Sequence, residues 1–260
     1  MTRAAVQTMK RAWLFALLAW GIVAAPVRAD GPSLQVYCWQ GKGTGSNLLN
    51  KQFTPKWKAV LNDGKGATIA IDDHPSPEQI LERIGKANVV YTNSHSGVPK
   101  GGNEQGLQVG DKGSGHYVLL ARELAAAKPT RPQLVVINGC STMPLLPETD
   151  GKVRNLATGF GITPGTKGRA YIGFEDVHSG AKGDDYFRVF FYFWSGVGNK
   201  GERPTLKQAV TLAKDYIEDQ VKKLGGDEAQ RFLLSNAAAN VAKDLHIVGD
   251  EDLRYTDLKP

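Results

Sequence analysis

The chain has 260 residues, 41% of them hydrophobic and 22% charged, with a net charge of +6. These proportions exclude a disordered tail and a membrane bundle. Thirty glycines without a G-x-y period exclude collagen, and two cysteines exclude a disulfide-dense scaffold or a four-cysteine zinc site. Length alone allows one large domain or two small ones.

Residues 1–29 read as a secretory signal peptide. Arg3, Lys10 and Arg11 form a positive n-region, and Ala12 to Ala25 is an uncharged apolar run. Pro26 breaks it, and Val27-Arg28-Ala29 offers small residues for cleavage. The run is shorter than the roughly 20 residues a bilayer span takes, although an uncleaved anchor is the alternative. No Arg-Arg pair precedes it and no cysteine follows it, which argues against the twin-arginine and lipoprotein routes. The segment holds four basic residues and no acid, so the remainder, 30–260, carries 28 basic and 26 acidic side chains. A balance of +2 without a basic, aromatic-interleaved patch makes nucleic acid a poor partner. The expected protein is exported, periplasmic or secreted, as one domain over 30–260 without a stable membrane span.

In chain order, Leu34 to Trp39 and Ala67 to Ile71 are β-prone, and Pro75 to Lys86 reads as a helix with Ile80, Leu81 and Ile84 on one face. Asn88 to Thr92 is a third strand. Ser96 to Gly115 holds seven glycines and reads as a mobile flap. Val118, Leu119, Ala121 and Leu124 predict a helix from His116 to Ala127. Gln133 to Ile137 is a strand whose last four residues are continuously apolar, as in a strand buried on both faces. Arg169 to Gly173 is a fifth strand. Asp184 to Ser195 is an aromatic helix, Thr205 to Lys223 an amphipathic one and Asp227 to Ala242 another. Leu245 to Val248 closes as a sixth strand. Alternating strands and helices predict an α/β three-layer sandwich, with a mainly parallel six-stranded sheet covered on both faces.

Chemistry in such sheets collects beyond the carboxyl ends of the strands. After strand three the chain reads Asn93-Ser94-His95-Ser96-Gly97, and after strand four Asn138-Gly139-Cys140-Ser141-Thr142. Adjacent strands lie about 4.8 Å apart, so His95 and Cys140 can share a site. An imidazole can take a thiol's proton and later protonate a leaving amine. The N–H of Cys140, after the turn allowed by Gly139, and one just after His95, at Ser96 or Gly97, are oxyanion donors.

The order strand–His-Ser-Gly, then strand–Gly-Cys-Ser, resembles the caspase-like cysteine peptidases. Leu134 to Thr142 is similar to the nucleophile strand of CHAT-domain and gingipain-type members. Tyr171-Ile172-Gly173-Phe174-Glu175-Asp176, then the aromatic helix to Trp194, resembles their next unit. Ile247 to Arg254 resembles their GDP-x-L ending, with Glu251 where proline is usual. The resemblance spans roughly residues 33–258. It implies a Cys140–His95 dyad endopeptidase acting on protein or peptide, with no metal or organic cofactor. Ser96 stands where the family has glycine directly after the histidine. Asn138, two before the cysteine, is neutral where acidic residues accompany basic P1 specificity. Glu175, Asp176, Asp184 and Asp185 are acidic candidates for the substrate pocket, or caps of the following helix. The competing class is a non-catalytic relative that binds a peptide in the same cleft.

Other readings stay open at this stage. The alternative for Cys140 is an inert buried thiol. Cys38 could bridge to it, although the strand order that the resemblance implies, with strand one beside strand three, leaves them about 9–10 Å apart, against a disulfide limit near 7 Å. Gly41 to Ser46 lacks phosphate-loop spacing and reads as a rim loop. His74, His116 and His178 match no zinc motif with His95; His74 and His246 read as structural.

Overall fold

The computed structural model describes residues 34–61, 66–112, 115–143, 146, 151–175, 180–223 and 241–260. The signal-peptide reading of 1–29, Asp176, His178 and most of the helix expected over 227–242 lie outside them.

Six strands form the main sheet: β1 (Gln35–Gln40), β2 (Thr68–Asp73), β3 (Val89–Asn93), β7 (Leu134–Asn138), β8 (Ala170–Phe174) and β9 (Leu245–Gly249). Their order is β2-β1-β3-β7-β8-β9. Neighbours run parallel, except that β9 returns antiparallel to β8. This is the expected mainly parallel six-stranded sheet, with strand one beside strand three.

The period-two alternation of strand side chains makes two cores. On one face Val36 and Cys38 of β1, Tyr91 of β3, Val136 of β7 and Phe174 of β8 pack with three helices. These are α1 (Thr54–Leu61), α5 (Gly180–Trp194) and α6 (Leu206–Lys223). On the other face Tyr37, Trp39, Val90, Val135, Ile137 and Tyr171 pack with α2 (Pro77–Ile84), α3 (Ala121–Ala127) and α4 (Leu156–Gly159). The continuous apolar run in β7 is thus buried on both faces.

Helix α2 begins with a capping box. Ser76 Oγ accepts from Gln79 N at 3.3 Å, and the Gln79 side chain accepts from Ser76 N at 2.8 Å. Pro77 sits at its first turn, where a missing N–H is harmless. Helix α1 was absent from the sequence reading, although buried Phe53, Trp57, Val60 and Leu61 fall at helical spacing.

Two expectations are corrected. The segment read as a mobile flap is built into a small antiparallel sheet of β4 (Ser96–Gly97), β5 (Gly106–Lys112) and β6 (Gly115–Leu120). It is tied to the main body: Gln108 N donates to His95 O at 2.7 Å, Gly110 N to Pro75 O at 3.2 Å and Gln105 N to Arg154 O at 2.7 Å. Its glycines permit close packing. A Cβ on Gly110 would collide with the carbonyls of His74 and Pro75, and one on Gly106 with Val118. Second, the helix expected from His116 begins only at Ala121. The residues before it pair with β5, with Leu107 opposite Leu119 and Gln108 opposite Val118. The aromatic and β-branched Tyr117 and Val118 suit a strand, and the alanine-rich stretch after them suits a helix.

Candidate functional site

Strands β3 and β7 are adjacent, parallel and in register, with Asn93 opposite Asn138. His95 and Cys140 each lie two residues beyond that pair. The two departing segments stay together. Ser94 N donates to Asn138 O at 3.3 Å, and Ser96 Oγ donates to Cys140 O at 2.5 Å. Ser94 Oγ also donates to the carbonyl of Gln108 in β5. Past the cysteine, the chain is fastened to β8: Phe174 N donates to Thr142 Oγ1 and Met143 N to Phe174 O, both at 2.8 Å. Ser141 between them takes φ 51°, a left-handed turn that redirects the chain just after Cys140.

His95 is exposed and Cys140 half-buried. The loop after β1 comes up beside the histidine, since a Cβ on Gly43 would sit 3.7 Å from His95 Nε2. A cavity of about 170 Å³ also borders His95, lined by Ser96, Gly97, Val98, Pro99, Gly106, Gln108 and Val118. A larger cleft, about 690 Å³, lies where α6 begins, with Arg203, Lys207 and Arg254 on its walls. It sits at the other end of the strands, whereas the smaller cavity is the one His95 lines.

The chain bends at Gly139 as expected, and the glycine has a further role there. A Cβ there would collide with Ser96 Oγ and the Ser94 carbonyl. The residue is glycine because the two dyad-bearing segments touch at that point. Gly139→Ala should therefore force them apart. We expect a loss of about 1–3 kcal/mol by urea unfolding, the usual range for overpacking. A variant as stable as the parent would show that the segments are not closely packed there.

Cys38 and Cys140 both retain their thiols, with no disulfide between them. Cys38 is fully buried on β1, two strands from β7, and burial pushes its thiol well above the ordinary range.

The acidic candidates separate. Glu175 is exposed and pairs with His246 Nε2 at 3.0 Å across β8 and β9. Asp185 is half-buried. Burial raises its carboxyl to about 6, while Arg188 and Lys56 pull it back. Asp184 is fully buried. Its Oδ2 accepts from Ser46 Oγ and Asn47 N, each at 2.7 Å. Its Oδ1 accepts from Asn138 Nδ2 at 3.0 Å and from the Tyr91 hydroxyl. Four accepted bonds use the lone-pair sites of a carboxylate. Asp184 thus neither faces the cleft nor caps α5, which begins four residues earlier at Gly180. Burial raises its carboxyl, and the hydrogen bonds from Tyr91, Ser46 and Asn47 oppose the rise. Asn138 is 1% exposed and also donates to Tyr91 Oη at 3.0 Å, so it is directed inward too. Gly41 to Ser46 is a loop, as expected, and is anchored through Ser46 to this buried carboxylate.

Among the described residues no group of three or more His, Cys, Asp or Glu side chains is arranged to hold a metal. His74 lies on the turn after β2 with Asp73, 3.3 Å away, and β1 separates that strand from the one that leads to His95. No helix among the described residues is long and apolar enough to cross a membrane.

No family model and no curated protein sequence matches the chain. Among solved structures it is similar to the Drosophila initiator caspase Dronc. That match covers 80% of this chain and 89% of the other, at 7% identity and a TM-score of 0.37. It is also similar to caspase-1 from Spodoptera frugiperda, over 90% of this chain and 98% of that one, at 12% identity and a TM-score of 0.42. The sheet order, the single antiparallel edge strand and the two covered faces make the fold a mainly parallel α/β sandwich. Identities this low carry no activity and no residue roles to this chain, so the function is argued from the geometry around Cys140 and His95.

Proposed function

We propose that the chain is an exported cysteine endopeptidase of caspase-like fold, with Cys140 as nucleophile and His95 as general base and acid. One observation carries the reading. Both residues stand two positions past the same register pair on adjacent parallel strands, in segments bonded to one another. His95 accepts the Cys140 proton as sulfur attacks the peptide carbonyl carbon. Backbone N–H groups of Cys140 and of Ser96 or Gly97 receive the oxyanion. The C–N bond then breaks, His95 returns the proton to the departing amine, and a thioester remains. Water, deprotonated by the same imidazole, hydrolyses it to the acid and restores the thiol. Protein or peptide is the substrate class, because an exposed histidine beside a shallow cavity suits an extended chain.

The test is alkylation of the native chain by iodoacetamide at pH 6, read by intact mass without reductant. We expect one fast adduct at Cys140, slowed at least tenfold in His95→Ala, and none at buried Cys38 until denaturant is added. The same spectrum reads whether the exported chain begins at Asp30. A Cys140 that reacts no faster than a simple thiol, with or without His95, favours a binding module over a peptidase.

A further inference from the structure

The proposed chemistry makes no use of Asp184, yet the protein buries this carboxylate completely and gives it four hydrogen bonds. Burying a carboxylate is costly unless its acceptors are satisfied. Here the partners named are all neutral, and they come from three separate elements. Ser46 and Asn47 end the loop whose Gly43 lies against His95. Tyr91 lies on β3, four residues before His95. Asn138 ends β7, two residues before Cys140. Three of the segments around the dyad, the loop after β1, β3 and β7, are thus fastened to one carboxylate on α5.

We propose that Asp184 is a positioning residue that holds the Cys140 segment and the loop beside His95 in mutual register. The inference rests on the Cys140–His95 reading. It does not require that the substrate be a peptide. The bonding pattern has a definite polarity. Asn138 donates to both Tyr91 and Asp184, and Tyr91 donates to Asp184. Exchanging the two side chains preserves it. An amide at 184 can turn its oxygen to Ser46 and Asn47 and its nitrogen to Tyr91 and a carboxylate at 138. Asn138→Asp alone instead brings two buried carboxylates together, a repulsive arrangement.

The experiment measures the second-order rate of iodoacetamide alkylation at Cys140 in the folded full chain. Asn138→Asp should lower it by about tenfold to a hundredfold, the scale of a misplacement near 1 Å. The double exchange Asn138→Asp with Asp184→Asn should bring it back within about threefold of the parent. In a His95→Ala background the loss from Asn138→Asp should shrink below about threefold, because there is no dyad left to align. A parental rate in Asn138→Asp, a double variant no faster than the single, or a full-sized loss without His95 would each overturn the proposal. If Asn138→Asp does not fold, Tyr91→Phe replaces it: a folded variant slowed several-fold supports the assignment, and one at the parental rate overturns it. Alkylation needs no substrate, so the two readings fail separately. A chain that cleaves no peptide but obeys the exchange loses the peptidase reading alone. A chain that cleaves peptides and ignores the exchange loses this one.

Discussion

Cys140→Ala is expected to abolish peptide cleavage, and His95→Ala to lower kcat/KM by about a thousandfold, close to 4 kcal/mol of transition-state stabilisation. The asymmetry follows from the roles. Without sulfur there is no thioester, so the two-step route closes. Without the imidazole the sulfur can still attack, but the thiol lacks a base and the departing amine lacks a proton donor. Neither change should disturb the fold. His95 is exposed and Cys140 half-buried, outside both hydrophobic cores. The measurement is kcat/KM on a peptide mixture with cleavage sites read by mass spectrometry, beside urea unfolding of each variant. Unfolding midpoints equal to the parent's, with cleavage lost, would place the effect in the chemistry. Unaltered cleavage in Cys140→Ala would remove the peptidase reading. Peptide bound with equal affinity by parent and variant, and cleaved by neither, would leave a binding module.

The parts legible in the sequence were those whose signal is local. A four-residue apolar run, Leu134 to Ile137, between Pro132 and Gly139 made β7 readable, and with it the residue that leaves its end. That His95 and Cys140 leave neighbouring strand ends followed from sheet geometry once strands three and four were placed side by side. Local signals also misled. His116 to Ala127 has apolar residues at spacings that fit a helix, but its first part pairs with β5. Six residues are too few for strand alternation to outweigh helical spacing. The glycines of 96–115 were read as mobility because sequence does not show what a missing Cβ lies against. In the fold Gly110 meets the turn after β2, and Gly106 meets Val118. Asp184 shows the limit most clearly. Next to Asp185 at the expected start of a helix, it reads as a cap or a pocket acid. Its partners lie 46 to 138 residues away in the chain. No spacing rule reaches that far. Polar residues whose bonds are all long-range are where a sequence reading gives out.

The second large effect belongs to the aromatic face of α5. Phe187→Ala should cost about 3–5 kcal/mol, the usual toll of removing a buried phenyl ring. Phe187 is fully buried. Its ring centroid lies 5.6 Å from Tyr91, 5.7 Å from Phe174, 5.6 Å from Tyr186 and 5.9 Å from Phe190, all edge to face. Those contacts add to the burial term. They also join α5 to β3 and β8, so neighbouring rings held by two strands cannot collapse fully into the space. A cavity that persists pushes the cost toward the upper end. In a chain of this size we expect the melting temperature to fall by about 10 °C. Urea unfolding should show a lower midpoint at unchanged slope. Phe187→Leu, which keeps most of the volume, should lose clearly less. A loss under about 1 kcal/mol for alanine would show that the ring is not wedged between helix and sheet. The same variant connects packing to the site. Tyr91 rests on Phe187 and donates to Asp184, one helical turn earlier on α5. Loosening the ring should loosen that bond. Cys140 alkylation in folded Phe187→Ala should therefore slow, whereas removing an aromatic remote from Tyr91, as in Phe160→Leu on the opposite face of the sheet, should leave the rate alone.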